Sequence, residues 1–379
     1  MAFPFTDHNN MANSIGTKRL ASEASTISNT RPRITNIWDA ITLDTLDIKA
    51  LYQYIKSNGD ANAANPDGYT LLYLAAHNKS TEALCMLLLQ QVDVNKVNGP
   101  HNELALHAAC AKGHLDSAEL LIENGSLVNA KDSLGHTPLT NAVFSGSEEC
   151  IQLLLEHDAD VSVVDEQGNS LLHHAASNNV TKAVPLFISK HVPIDAHNQR
   201  GLSPLALAIS FGHSDVAIAL IDGGANVNGR TRFATVLHYA ITWNRLDVVK
   251  KLVEHGCQVN VVNDIEETPL YLAVQQRKID LVQYLVDQAK ADPCYPNNAN
   301  LSLLYAASHG YTEICKLVLS KNTSNYFIQV AADKAARVGH QLTAKFLKEK
   351  LVEAKEPTKE SEDITFESLV NTFSDDDES

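Results

Sequence analysis

No stretch of this 379-residue chain approaches the roughly 18 to 20 consecutive apolar residues that cross a bilayer, so no membrane span is expected. Cysteine is sparse and unpatterned. The six (Cys85, Cys110, Cys150, Cys257, Cys294, Cys315) form no C-x-x-C pair and no framework spacing, so an intracellular compartment fits better than an oxidising one. The opening "MAFPFTDHNN" lacks a basic segment followed by an apolar one, which argues against a secretory leader of that kind. Basic surplus is also missing. A net charge of −15 disfavours sequence-independent nucleic-acid binding, which needs cations to neutralise phosphates. Neither a Gly-rich phosphate loop nor a nucleophile elbow occurs, so no cofactor and no enzyme activity are expected.

What the chain does have is period. A Thr-Pro-Leu-like slot begins at Thr70, Leu104, Thr137, Ser170, Ser203, Thr235, Thr268 and Leu301, with spacings of 34, 33, 33, 33, 32, 33 and 33 residues. Five residues after each start stands an alanine: Ala75, Ala109, Ala142, Ala175, Ala208, Ala240, Ala273 and Ala306. An alanine this strict marks a place where two helices approach too closely for a larger side chain. The Thr-Pro start suits a first helical turn, and "EECIQLLLEHD" reads as an amphipathic second helix. The left-handed residue that ends the second helix is expected at Gly59, Gly125, Gly224 and Gly256. In the other repeats it is expected at Gln91, Asp158, His191, Ala289 and Asn322.

The stretches "DSLGHTPL" (132–139), "DEQGNSLLHHAA" (165–176), "AKGHLDSAELLIENG" (111–125) and "GGANVN" (223–228) together resemble the ankyrin repeat. The resemblance implies an all-α solenoid of stacked helix-turn-helix repeats with loop fingers. It divides the chain into a disordered tail (1–34), a degenerate capping repeat (35–65), eight repeats (66–324), a basic helical cap (325–352) and an acidic disordered tail (353–379). It also gives most histidines a structural place. His107, His173 and His238 occupy the Thr-Pro-Leu-His slot, whose side chain bonds neighbouring backbone in the family, and His114, His213 and His340 occupy the Gly-His turn. His174 reads as a neighbour of His173 on another face, so no metal site is expected. Cys110 and Cys257 fall in small-residue packing slots.

Resemblance to ankyrin arrays further implies a concave groove lined by fingers and first helices. The two slots after the alanine pair hold Phe144, Phe211, Trp243 and His309, with Phe211 and Trp243 in one slot of adjacent repeats. The fingers add Arg200, Leu202, Arg230, Arg232 and Phe233, the last where glycine is usual and in a finger one residue short. A basic, aromatic cluster in an acidic chain points to a protein partner with an acidic segment, bound by a monomeric scaffold or adaptor. Trp38 reads as core on the apolar stripe of the N-terminal cap, and Trp243 as either a partner contact or a side chain packed on its own array.

Residues 353–379 carry ten acids against two lysines around an apolar patch, and "EDITFESL" with Phe366 and Leu369 resembles a short docking motif. A lone array with such a tail also resembles the ankyrin effectors that intracellular bacteria send into host cells by type IV secretion. Lys18, Arg19, Arg31 and Arg33 thinly resemble a nuclear import signal. The expected location is therefore the cytoplasm, of a host if the chain is an effector, with the nucleus an alternative. A ubiquitin-ligase recognition subunit is a further alternative, with no F-box or SOCS-box-like segment in view.

Overall fold

The computed structural model describes residues 37–297 and 299–353. The expectations for both tails, including Phe366 and Leu369, lie outside them. The described residues contain nineteen α-helices and one short 3-10 turn, with isolated bridges in place of sheet. The helices form two layers. First helices α2 (Leu71–His77), α4 (Ala105–Ala111), α6 (Pro138–Ser145), α8 (Leu171–Ser177), α10 (Pro204–Phe211), α12 (Val236–Thr242), α14 (Pro269–Gln275) and α16 (Leu301–Ser308) stack in one row. Second helices α3 (Thr81–Leu88), α5 (Leu115–Glu123), α7 (Glu148–Glu156), α9 (Ala183–Ser189), α11 (Ser214–Asp222), α13 (Leu246–Glu254), α15 (Ile279–Asp287) and α17 (Thr312–Val318) stack behind them. α1 (Ile48–Lys56) packs on α3 at one end, and the longer pair α18 (Asn325–Val338) and α19 (Gln341–Glu353) closes the other.

Helix starts follow the sequence signature. Thr70, Thr137, Ser203 and Thr268 cap their helices by accepting the N–H three residues on, and Pro138, Pro204 and Pro269 occupy the first turn. All eight slot alanines are fully buried between helices, as their invariance within the chain requires. Trp38 is half-buried and packs on this core.

Two repeated devices join neighbours. The asparagine of the Val-Asn signature accepts a backbone N–H from the next repeat: Asn62 from Asp93, Asn95 from Leu127, Asn129 from Asp160, Asn228 from Gln258 and Asn260 from Asp292, at 2.7–2.9 Å. The Thr-Pro-Leu-His histidines reach across as well. Nε2 of His107 meets the carbonyl of Ala130, that of His173 meets Leu202, and that of His238 meets Glu267, at 3.0–3.1 Å.

Two expectations are corrected. Left-handed backbone falls on Asn58 rather than Gly59 and on Lys290 rather than Ala289, and Asn322 is not left-handed. Asparagine tolerates that conformation better than other residues that bear a Cβ. Leu202 is not a groove residue: it is buried in the core, and its carbonyl receives His173.

Candidate functional site

Four of the fingers are Asx-type turns that differ in the charge of their first residue. Asp132, Asp165, Asn198 and Asn263 each accept two backbone N–H groups, two and four residues on, through one side-chain oxygen. The turn therefore needs an acceptor and not a charge. Two consecutive fingers nevertheless carry aspartate, while the next ones carry asparagine, threonine (Thr231) and asparagine.

The aromatic and arginine residues singled out in the sequence stand on the fingers around Asn198 and Thr231 and at the ends of α10 and α12. Phe211 ends α10 and is 49% exposed, and Trp243 caps α12 and is 39% exposed. Because α10 and α12 are adjacent in the row, the two rings belong to neighbouring repeats. Phe211 also stacks on His213, with ring centres 6.2 Å apart. Phe233 is exposed, with the Arg232 guanidinium 5.4 Å from its ring centre. Arg230 is exposed but anchored, donating to the Val262 carbonyl of the next finger at 3.1 Å. Arg200 is exposed on its own finger. His309 lies away from this cluster and stacks on Tyr305 at 4.1 Å.

Around the acidic fingers the chemistry is different. Phe144, at the end of α6, presents its ring edge-on to two imidazoles, His136 at 5.0 Å and His174 at 4.9 Å. The two histidines and Asp165 bring one ligating atom each to within 4.8 Å of one another. His174 Nε2 is 3.3 Å from Asp165 Oδ2, His136 Nε2 is 3.9 Å from the same oxygen, and His136 Nδ1 is 3.4 Å from Asp132 Oδ2. Burial alone would push Asp165 up, but the neighbouring His174 and the Asn169 amide outweigh it and hold the carboxyl well below the usual carboxylate range. Burial lowers the pKa of His136 despite the nearby Asp132, which favours a neutral ring.

Sequence reasoning missed this cluster because it took His174 only as the neighbour of His173. His136 and His174 lie on different repeats, one period and five residues apart, so no local ligand spacing reveals them. The legible signal was aspartate in two successive fingers with a histidine just before the Thr-Pro slot.

Comparison with known proteins agrees with the architecture. A model of ankyrin repeats matches residues 40–132, 126–195, 172–263 and 256–330. Human neurogenic locus notch homolog protein 1 is 28% identical over 228 residues, which is 56% of this chain and 8% of that protein. Its Xenopus tropicalis counterpart is 25% identical over 229 residues, again 56% of this chain and 8% of the relative. An ankyrin repeat protein of fowlpox virus is 34% identical over 99 residues, 26% of this chain and 17% of the viral protein. The chain thus spans only a small part of the curated relatives it matches. The crystal structure of the human ASB11 ankyrin repeat domain superposes with a TM-score of 0.50 at 31% identity, covering 53% of this chain and 90% of that one.

Proposed function

The chain belongs to the ankyrin-repeat family, and from that premise we propose that it is a non-enzymatic scaffold whose protein partner lies over Phe211, Trp243 and Phe233. Ankyrin repeats are a protein-interaction fold that keeps its frame and varies its surface. The observation that carries the reading is that two adjacent repeats present exposed aromatic rings at the ends of their first helices together with Arg200, Arg230 and Arg232 on their fingers, in an otherwise acidic protein. Large rings supply contact area at small entropic cost, and the guanidinium groups favour a partner segment rich in aspartate or glutamate. The proposed setting is the cytoplasm, with the array acting as a single chain. Delivery into a host cell as an effector would depend on residues 353–379. Neither that reading nor the ubiquitin-ligase reading gains support from a particular described residue, and the plain scaffold stands ahead of both.

Proximity labelling in the native cell, comparing the natural chain with Phe211→Ala plus Trp243→Ala, tests the proposal. The partner set should fall at least about tenfold in recovery, because one such ring contributes about 2 kcal/mol or more when buried at an interface. Unchanged recovery with the folded double variant would show that the partner lies elsewhere.

A further inference from the structure

We propose that His136, Asp165 and His174 form a binding site for a divalent transition-metal ion of the zinc class, built across two successive repeats. The ligating atoms are Nε2 of His136, Oδ2 of Asp165 and Nε2 of His174. In a tetrahedral zinc site with bonds of about 2.0–2.1 Å, neighbouring ligand atoms lie about 3.4 Å apart. The His174–Asp165 edge, at 3.3 Å, already has that length. The His136–Asp165 edge is 3.9 Å and the three atoms lie within 4.8 Å of one another, so binding would draw the imidazoles inward.

Each ligand is held in the orientation that binding needs. Asp165 Oδ1 is tied by the N–H groups of Gln167 and Asn169 at 2.9 and 2.7 Å, and Oδ2 accepts the Asn169 amide at 2.9 Å while keeping a second lone pair. Asp132 is fixed in the same way by Leu134 and His136 and stands 3.4 Å behind His136 Nδ1. A carboxylate behind the far nitrogen fixes the proton on Nδ1, leaves the Nε2 lone pair free and raises its basicity. His174 supplies the decisive observation. Its side chain is only 8% exposed, and its buried Nε2 lies 3.3 Å from Asp165 Oδ2 in a geometry too poor for a well-formed hydrogen bond.

The donor set selects the ion. Two imidazoles with one carboxylate suit zinc and its neighbours, whereas calcium and magnesium prefer all-oxygen shells. Phe144 covers both rings edge-on, lowering the local dielectric, and three protein ligands leave a fourth position for water. Because His136 belongs to the finger before α6, and Asp165 and His174 to the finger and helix of the next repeat, the ion would link two stacked units. Its binding would then add to the stability of their interface.

The test uses the full chain, stripped with a chelator and titrated with Zn²⁺ and with Co²⁺. One ion per chain should be taken up at this site, giving the visible absorption of four-coordinate cobalt and a zinc-dependent rise in melting temperature. Asp165→Asn and His136→Ala should abolish all three signals, and Asp132→Asn should weaken binding about ten- to hundredfold. His157→Ala, which removes an exposed histidine, should leave them intact. Asp165→Asn should fold, because Asn198 makes the same turn in the next finger, and circular dichroism checks this. The proposal is overturned if the natural chain shows no stoichiometric uptake. It is equally overturned if Asp165→Asn and His136→Ala bind both ions unchanged, which would make the uptake adventitious.

Discussion

Two neighbouring parts of one helical array are built on the same frame and carry different chemistry. From Asp132 to His174 the fingers are acidic, and they face two imidazoles and one edge-on phenylalanine, with the polar atoms buried. From Asn198 to Asn263 the finger starts are neutral, guanidinium groups stand on the first two fingers with Asp264, Glu266 and Glu267 on the third, and the rings of Phe211, Phe233 and Trp243 are 39–49% exposed. The backbone turn is the same in both, since an amide oxygen and a carboxylate oxygen accept the same pair of N–H groups. Stability therefore asks only for an acceptor at the finger start, and the charge placed there is free to serve recognition or metal binding.

The sharpest way to break this comparison is at Asp165. Asp165→Ala removes the acceptor for two backbone N–H groups and for the Asn169 amide, and it leaves His174 beside an apolar methyl. The expected loss is about 3–5 kcal/mol in urea denaturation, the usual cost of removing one partner of a buried polar pair. Asp165→Asn keeps the turn and should cost no more than about 1 kcal/mol. If both variants lose the same stability, the acidic fingers hold their turns by charge, and the two regions are not built alike.

A smaller effect, confined to the neutral region, comes from His238. It is 1% exposed, bonds Thr235 Oγ1 at 2.7 Å and the Glu267 carbonyl at 3.1 Å, and is held neutral. Burial lowers its pKa from 6.5 to about 4; the Glu267 carbonyl opposes the shift and Arg230 adds to it. Between about pH 6.5 and 4 the unfolded chain binds this proton and the folded chain does not, so stability falls as the pH drops through that window. The full loss from this residue is on the order of 3 kcal/mol, and none of it remains to be lost below about pH 4. His238→Gln should flatten the decline of melting temperature between pH 7 and 5. An unchanged slope in this variant would mean that His238 already carries its proton in the folded state.

Most of the architecture was legible because it repeats. The eight slot alanines, the Thr-Pro helix starts and the cross-repeat histidines each recur at one period, and each recurrence reinforces the others. Single positions were less legible. Gly59 was the natural choice for a left-handed residue, yet Asn58 takes that conformation one position earlier. Leu202 shared a finger with Arg200 but turns into the core, a direction that composition does not encode. The histidine–aspartate cluster was hidden for a different reason. Its members occupy three unlike slots, before the Thr-Pro start, at the finger start and after the histidine slot, and only stacking brings those slots together.

The smallest effect expected is electrostatic, and it sharpens the comparison through rates and not through stability. Arg232 is exposed beside Phe233, so Arg232→Gln should leave the fold unchanged and slow association with an acidic partner about threefold at low salt. The difference should shrink as the Debye length falls from about 10 Å at 0.1 M to about 3 Å at 1 M salt. Asp132→Asn removes a charge of the other sign from the acidic region and should not slow the same partner. Stopped-flow measurement of both variants against the partner recovered by labelling separates two sources of steering. Slowing by Arg232→Gln with little change in Asp132→Asn would show that the contents of individual slots set the local field. Rate changes of equal size and opposite sign would show that the net charge of −15 on the whole chain sets it, and the arginines would then have no steering role of their own.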